Sequence, residues 1–335
     1  MSEMFMHLSA KDRRDALGVA TSASGRPVHL LEKDVWVVWA LQTLFTSKFK
    51  GDLVFKGGTS LSKAYKVIDR FSEEVDLTYD IRALIPDLVG DSEDAIPVSR
   101  GEERRWTKQV RELLPRWVAE EIKPILNNQL AAENLGAKIS VEGEQLFLTY
   151  EALAAGTGYV RPSIMLEFGA RSTGEPNSLC NITCDAAAYL DGVEFPAALP
   201  RVMSAERTFW EKATAIHVFC AQRRLRGERF ARHWYDLVKL DDAGYVDRAL
   251  KDRMLAKAVA THKSMFFAEK DYLSRPVDYM AAANGKLNLV PKDESLGILS
   301  NDYGKMLADG LLFDGSETFR ELIERSANIE RRANL

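Results

Sequence analysis

Glu74 and Asp76 stand two residues apart in a stretch whose polar and apolar residues alternate, Glu-Val-Asp-Leu-Thr-Tyr at residues 74–79. On a β-strand this spacing puts both carboxylates on one face and Val75, Leu77 and Tyr79 on the other. Two carboxylates aimed at one point repel each other unless a cation lies between them. Mg²⁺ takes hard oxygen ligands and leaves room for substrate phosphates, so the pair reads as half of a divalent-metal site. A third acid, Glu167, interrupts an apolar run containing Ile164, Met165, Leu166 and Phe168. A lone carboxylate is costly to bury there without a metal or a partner, and this makes Glu167 the third ligand; an edge strand with its acid in water is the other reading.

Just upstream, Leu53, Val54 and Phe55 form a short apolar strand that Gly57-Gly58 ends, and residues 59–66 carry apolar side chains at helical intervals. Glycines at such a turn let backbone approach a ligand, and the free N–H groups opening the next helix favour an anion. Phosphate is the expected anion. Thr59 and Ser60 offer hydroxyls to cap the helix or meet phosphate oxygens, and Lys56 or Lys63 adds charge. Glycine turn and acid pair together predict a metal-dependent transfer enzyme.

GGTSLSKAY at residues 57–65 followed by RFSEEVDLTYD at residues 70–80 resembles the AbiEii/AbiGii toxin family, a branch of the polymerase-β-type nucleotidyltransferases. In that family the second motif usually reads Arg-x-Ser-x-Asp-x-Asp, and Arg70, Ser72, Glu74 and Asp76 occupy those places here. Glu74 departs from the pattern. It is one methylene longer than aspartate, which bears on metal preference or rate because Mg²⁺ demands near-octahedral ligands at about 2.0–2.1 Å. Further on, a helix opening at the capping residue Ser204 carries Glu211-Lys212, and a second stretch, Arg232-His-Trp-Tyr-Asp236-Leu237, resembles the family's Arg and Tyr-Asp-Leu. Taken alone, without the upstream motif, Glu211, Lys212 and Asp236 read as an ordinary solvated helix face. The tail, GKLNLVPKDESLGILSNDYGKM with Asp302-Tyr303 and Met306, is similar in style, so the likeness runs from about residue 30 to 330.

The resemblance implies an α+β fold: a polymerase-β-like nucleotidyltransferase domain with a mixed sheet flanked by helices, plus a mainly helical C-terminal domain. It implies that Glu74, Asp76 and Glu167 hold two Mg²⁺, or Mn²⁺ in their place. Gly57, Gly58, Thr59 and Ser60 would cradle the triphosphate of an NTP substrate, supported by Lys63, Arg70 and Ser72. Lys212 would reach that triphosphate and Asp236 would orient Lys212 or a neighbouring base. The implied acceptor is an RNA hydroxyl, such as a tRNA 3′ end, whose modification blocks translation. The implied partner is a cognate antitoxin protein, often a DNA-binding repressor, within a toxin-antitoxin or phage-defence system. Two other readings stay open: transfer to a protein or small molecule from the same metal site, and a nucleotide-binding sensor in which Glu74 has weakened catalysis.

The elements that must position these residues follow from pattern and composition. At 335 residues, 46% hydrophobic and 28% charged, the chain is long enough for about two domains with sizeable cores. A boundary is expected after Pro196 and Pro200, giving a nucleotidyltransferase domain over 1–200 and a helical domain over 201–335 that contributes to the active-site cleft. Helices are expected at residues 8–20 and 30–45, bracing the sheet, and an exposed loop at 82–100. A helical region over 102–131 should be kinked or divided by Pro115 and Pro124. Strands are expected at 138–141, 145–150, 163–170 and 179–185, then mainly helix from residue 204, with an irregular insert at 284–291.

Charge and cysteine content narrow the class. A net charge of −4 argues against a general nucleic-acid coating protein. Locally, Arg223, Arg224, Arg226, Arg229 and Arg232 crowd one segment where an RNA end could dock, with Trp234 or Tyr235 stacking on a base. The basic residues between Arg100 and Arg116 are diluted by Glu102, Glu103 and Glu112 and read as surface. Cys180, Cys184 and Cys220 are an odd number, and with His217 their spacing makes no zinc knuckle. No run of about 18 uncharged apolar residues exists and the N-terminus lacks a signal-peptide core, so a cytoplasmic location away from membranes is expected.

Overall fold

The computed structural model describes residues 3–70, 74–154, 161–223, 229–292, 294–308, 312 and 317–335. Two compact units are present: one made of residues 1–64, 73–88 and 108–202, the other of residues 65–72, 89–107 and 203–335.

The first unit is built on a seven-stranded mixed sheet. Its strands are β1 (Leu53–Lys56), β2 (Glu74–Tyr79), β3 (Lys138–Glu142), β4 (Gln145–Thr149), β5 (Ser163–Gly169), β6 (Asn177–Leu179) and β7 (Arg201–Met203), in the order β3-β4-β5-β2-β1-β7-β6. β2 runs parallel to β5 and antiparallel to β1, which puts the acid strand at the middle of the sheet. Alternation decides its faces. Val75, Leu77 and Tyr79 on β2, and Ile164, Leu166 and Phe168 on β5, are buried on one face, leaving Glu74, Asp76 and Glu167 on the other, half-buried.

Helices α1 (Ala10–Ser24) and α2 (Val28–Thr46) precede the sheet. The Ser9 hydroxyl caps α1 by accepting from the Asp12 N–H at 3.1 Å, so α1 starts later than the apolar pattern at residues 8–20 suggests. α2 is apolar nearly all round, as befits a helix covered on every side, and packs on β5 with Trp36 stacked on Tyr150, ring centroids 5.3 Å apart. The expected single strand over 179–185 is instead two short strands in different sheets, β6 and Ile182–Thr183, followed by a 3₁₀ turn at Asp185–Tyr189. The expected loop over 82–100 opens with two helical turns, Ile81–Leu84 and Pro86–Val89, the first capped by the Asp80 carboxylate.

Helix α4 (Arg100–Trp117) continues through a π-helical stretch, Val118–Ile122, into α5 (Lys123–Ala132). Pro115 sits inside α4 without ending it and Pro124 lies at the start of α5, so the division expected at the prolines takes the form of a wider π turn between them. Trp117 at this junction stacks on Tyr79 (4.1 Å) and meets Phe168 edge-on (5.6 Å), binding the helical run to the buried sheet face.

The second unit is mainly helical: α6 (Ala205–Gln222), α7 (Ala231–Asp242), α8 (Tyr245–Lys251), α9 (Arg253–Phe266), α10 (Glu294–Ala308) and α11 (Phe319–Ala333). The Ser204 hydroxyl caps α6 by accepting from the Arg207 N–H at 3.1 Å. At the start of α7 the Asp302 carboxylate accepts from the Arg229 and Ala231 N–H groups at 2.6 and 2.7 Å, so the Asp302-Tyr303 of the tail holds α7 in place. Trp210 and Trp234 are fully buried, and each indole N–H donates to a carbonyl, that of Ala249 at 3.1 Å and of Leu289 at 2.8 Å.

Candidate active site

β1 ends in Gly57-Gly58, and the short helix α3 (Gly57–Lys63) begins there without an intervening turn residue, two residues earlier than its apolar pattern implies. It stops at Lys63; Lys66 has a left-handed φ of 53°, incompatible with continued helix. Gly57 has a φ of 77°, and a Cβ there would overlap the Asp76 carboxylate. The glycine thus has a reason independent of any ligand: it lets the Asp76 side chain lie against the turn. The Thr59 hydroxyl donates to the Glu74 carbonyl and that of Ser60 to the Gly57 carbonyl at 2.9 Å, tying turn and acid strand together.

Register brings the acids into one place. In the parallel β2–β5 pair Asp76 lies opposite Glu167, and Glu74 is next along the same face. One carboxylate oxygen from each of Glu74, Asp76 and Glu167 lies within 4.8 Å of the others, and this is the one such metal-ligating cluster among the described residues. Burial raises the pKa of Glu167, and the charges of Asp76 and Glu74 raise it further. Lys56, the β1 partner of Asp76, and Gln145, the β4 partner of Glu167, pull the other way, Gln145 through a long contact to Glu167 Oε2 of 3.5 Å. Three half-buried carboxylates on one face form the hard oxygen set that Mg²⁺ or Mn²⁺ takes, so these residues fit such an ion, and Glu74 reaches the cluster despite its extra methylene.

Lys63 is placed differently from a phosphate ligand. Its ammonium is buried and meets Asp34 Oδ1 at 2.5 Å and Asp185 Oδ1 at 2.6 Å, while Asp185 also pairs with Arg26 and donates its N–H to Asp34 Oδ2 at 2.6 Å. Burial would lower the pKa of Lys63, and the two aspartates outweigh it and raise it. Neither aspartate was singled out from sequence: Asp34 follows Glu32 and Lys33 in α2, and a Glu-Lys-Asp run gives no local sign that one of its acids meets a distant lysine.

The second unit holds another charged group. Asp236 on α7 is fully buried; its Oδ1 accepts from Arg70 Nε at 2.7 Å and its Oδ2 from Arg70 Nη2 at 2.8 Å, with Lys212 Nζ of α6 also 2.8 Å from Oδ2. Burial alone would raise the Asp236 pKa, but the Arg70 and Lys212 cations win and hold it well below the usual carboxylate range. Arg207 pairs with Glu211 at 3.2 Å one turn before Lys212. Ser72, Arg224 and Arg226 lie outside the described residues.

Trp234 and Tyr235, expected as stacking platforms, are 0% and 1% exposed, which removes them from any base contact; the inward face of the amphipathic helix α7 takes them. Arg223 is exposed, with its guanidinium 4.0 Å above the Tyr272 ring, and Tyr272 is 48% exposed. The cysteine and histidine side chains are engaged separately, Cys184 donating to the Pro196 carbonyl at 3.3 Å and His217 Nδ1 accepting from the Asn288 N–H at 3.1 Å. No helix of the described residues is long and apolar enough to cross a membrane.

Comparison with known proteins agrees with the sequence resemblance. The family described as "Nucleotidyl transferase AbiEii toxin, Type IV TA system" matches residues 39–325. Among solved structures, MenT4, a nucleotidyltransferase toxin from Mycobacterium tuberculosis H37Rv, aligns over 97% of this chain and 98% of its own at 17% identity, with a TM-score of 0.41, a level of likeness that carries no functional inference. Curated proteins yield no match. With a family match that spans most of its length, the chain belongs to the AbiEii family of nucleotidyltransferase toxins of toxin-antitoxin systems.

Proposed function

We propose that this toxin transfers a nucleotide from an NTP to an RNA hydroxyl, with a tRNA 3′ end as the acceptor, and so blocks translation in a cell that lacks the cognate antitoxin. The observation that carries the reading is the convergence of Glu74, Asp76 and Glu167 beside the Gly57-Gly58 turn. A divalent cation held by these three carboxylates would supply charge neutralisation for the nucleotide phosphates and a lowered pKa for the attacking hydroxyl. The chain's own groups bind and orient. Gly57 and Gly58 present turn backbone to the triphosphate, the Thr59 and Ser60 hydroxyls, donated to the Glu74 and Gly57 carbonyls rather than to phosphate, hold that turn in shape, and Lys63, through Asp34 and Asp185, holds the helix that carries them. Ser72 lies next to this machinery in the chain. Lys212 of α6 neutralises triphosphate charge, with Asp236 fixing its position. Arg223 and Arg232, with Tyr272 as the exposed ring, form the acceptor's landing surface. Work of this kind belongs in the cytoplasm, where NTP and RNA are found.

The test is to incubate the purified protein with each labelled NTP, Mg²⁺ and total RNA, alongside Asp76→Ala. Label in RNA that disappears with Asp76→Ala is the expected result. Label in protein or a small molecule would reassign the acceptor, and nucleotide binding with no transfer would make the chain a sensor.

A further inference from the structure

We infer that Arg70 is a positioning residue: it occupies the Asp236 carboxylate so that Lys212 meets the nucleotide as a cation Asp236 has not neutralised, and Arg70 does not itself touch the triphosphate. The inference rests on the reading above in one respect, that Lys212 faces the triphosphate. Its geometry stands independently.

Arg70, the arginine of the acid-strand motif, is where sequence places a phosphate ligand, because a guanidinium fork matches phosphate oxygens. In the structure that fork is already filled. Nε and Nη2 span the two oxygens of Asp236 at 2.7 and 2.8 Å, and the Arg70 side chain is 5% exposed. The carboxylate it grips is completely enclosed, so opening the pair would strand a buried charge.

Lys212 shares that carboxylate, 2.8 Å from Oδ2, with its side chain 11% exposed. Two cations and one anion sum to a single positive charge, +2 − 1 = +1; without Arg70 the remainder, +1 − 1, is zero. An ammonium paired one-to-one with a buried carboxylate has little field left for a polyphosphate, whereas one that shares its carboxylate with a bidentate guanidinium keeps most of it. The surroundings agree. His233 is half-buried on the same helix with its Nδ1 enclosed, and burial first, then the charges of Lys212 and Arg232, push its pKa far down against the Asp236 carboxylate, so its ring adds no charge to the group.

The experiment measures equilibrium binding of fluorescent analogues of ATP, GTP, CTP and UTP with Mg²⁺ to the full chain, its Arg70→Met, Arg70→Lys and Lys212→Met variants, and the double variant Arg70→Met/Asp236→Asn. Removing Arg70 is expected to weaken binding of the preferred analogue about tenfold, the scale of one desolvated charge contact. Arg70→Lys keeps the charge and should stay within about threefold of the parent. The decisive variant is the double one. Taking away the Asp236 charge as well restores the +1 sum, so affinity should recover to within about threefold, which a direct Arg70–phosphate contact cannot produce.

Failure of recovery in a double variant that melts within a few degrees of the parent overturns the inference, as does parental affinity in Arg70→Met. Should Arg70→Met fail to fold, Arg70→Lys and the double variant decide, since both avoid a carboxylate left with Lys212 alone. Lys212→Met separates the two layers of reasoning. Parental affinity in that variant sinks the assignment of Lys212 to the triphosphate and this inference with it, whereas lost affinity there combined with an unrecovered double variant sinks the inference alone.

Discussion

At residue scale, contact distances set what each group can do. Gly57 is confined to glycine twice over, by a φ of 77° and by the Asp76 carboxylate in the space a Cβ would fill. Gly57→Ala is therefore expected to displace Asp76 and lower Mn²⁺ affinity at least tenfold while costing about 1–2 kcal/mol of stability. Paramagnetic titration with Mn²⁺ and urea unfolding measure the two effects; unchanged Mn²⁺ binding would mean that Asp76 has no part in the ion site. Glu167 supplies a pH dependence. Its folded pKa is raised, so it holds a proton at pH values where a free glutamate is ionised, and only the carboxylate form is a ligand. Mn²⁺ binding should be complete above that raised pKa and be lost as pH falls through it. In folding the sign is opposite: the stability this group contributes is present below the unfolded glutamate pKa and is lost as pH rises through the folded one. Glu167→Gln should remove the pH-dependent limb of the Mn²⁺ titration, and a limb that persists would assign it elsewhere.

At element scale, the frame around the glycine turn is held by a buried ion cluster. Lys63 ends α3 and is gripped by Asp34 of α2 and by Asp185 at the 3₁₀ turn, so three pieces of chain meet at one ammonium. Lys63→Met should destabilise the protein by about 3–5 kcal/mol, because it leaves Asp34 without its ammonium in a nearly enclosed place. Adding Asp34→Leu should return much of that loss. Urea midpoints of the single and double variants report it, and a single variant within about 0.5 kcal/mol of the parent would show the cluster to be a solvated surface group. The elements themselves were legible to different degrees. The apolar stripe of α2 and the alternation in β2 and β5 are local patterns, visible in any window of the chain. The split of residues 179–185 between two sheets is not, since Asn177–Leu179 and Ile182–Thr183 take different partners that only the fold supplies. The π turn at Val118–Ile122 is likewise a tertiary choice, made where Trp117 stacks on Tyr79.

At the scale of the whole molecule, the compact units are not two consecutive lengths of chain. Residues 65–72 and 89–107 belong with the helices from Met203 onward. Arg70 finds Asp236 there, Tyr65 donates its hydroxyl to the Met203 carbonyl at 2.8 Å, and Trp106 packs on Phe266 with ring centroids 6.4 Å apart. A fragment of residues 1–200 would hold these groups without their partners. It is expected to be less soluble than the full chain and to unfold without a sharp thermal transition, as followed by circular dichroism; a fragment melting cooperatively near the parent temperature would show that a cut at the expected boundary respects the folding units.

Local spacing made half of the site legible. Two acids at i and i+2 on an alternating strand share a face wherever that strand is placed, and a Gly-Gly after an apolar run breaks it whatever follows, so the acid pair and the glycine turn could be read directly from the chain. Partnership required the fold. The parallel register that sets Glu167 across from Asp76, the two aspartates that claim Lys63, and the carboxylate that fills the fork of Arg70 all join residues far apart in sequence. Residue type states which charges and hydrogen bonds a side chain can make; which of its possible partners it meets depends on the packing that brings distant segments within a few ångströms, and no local pattern encodes that distance.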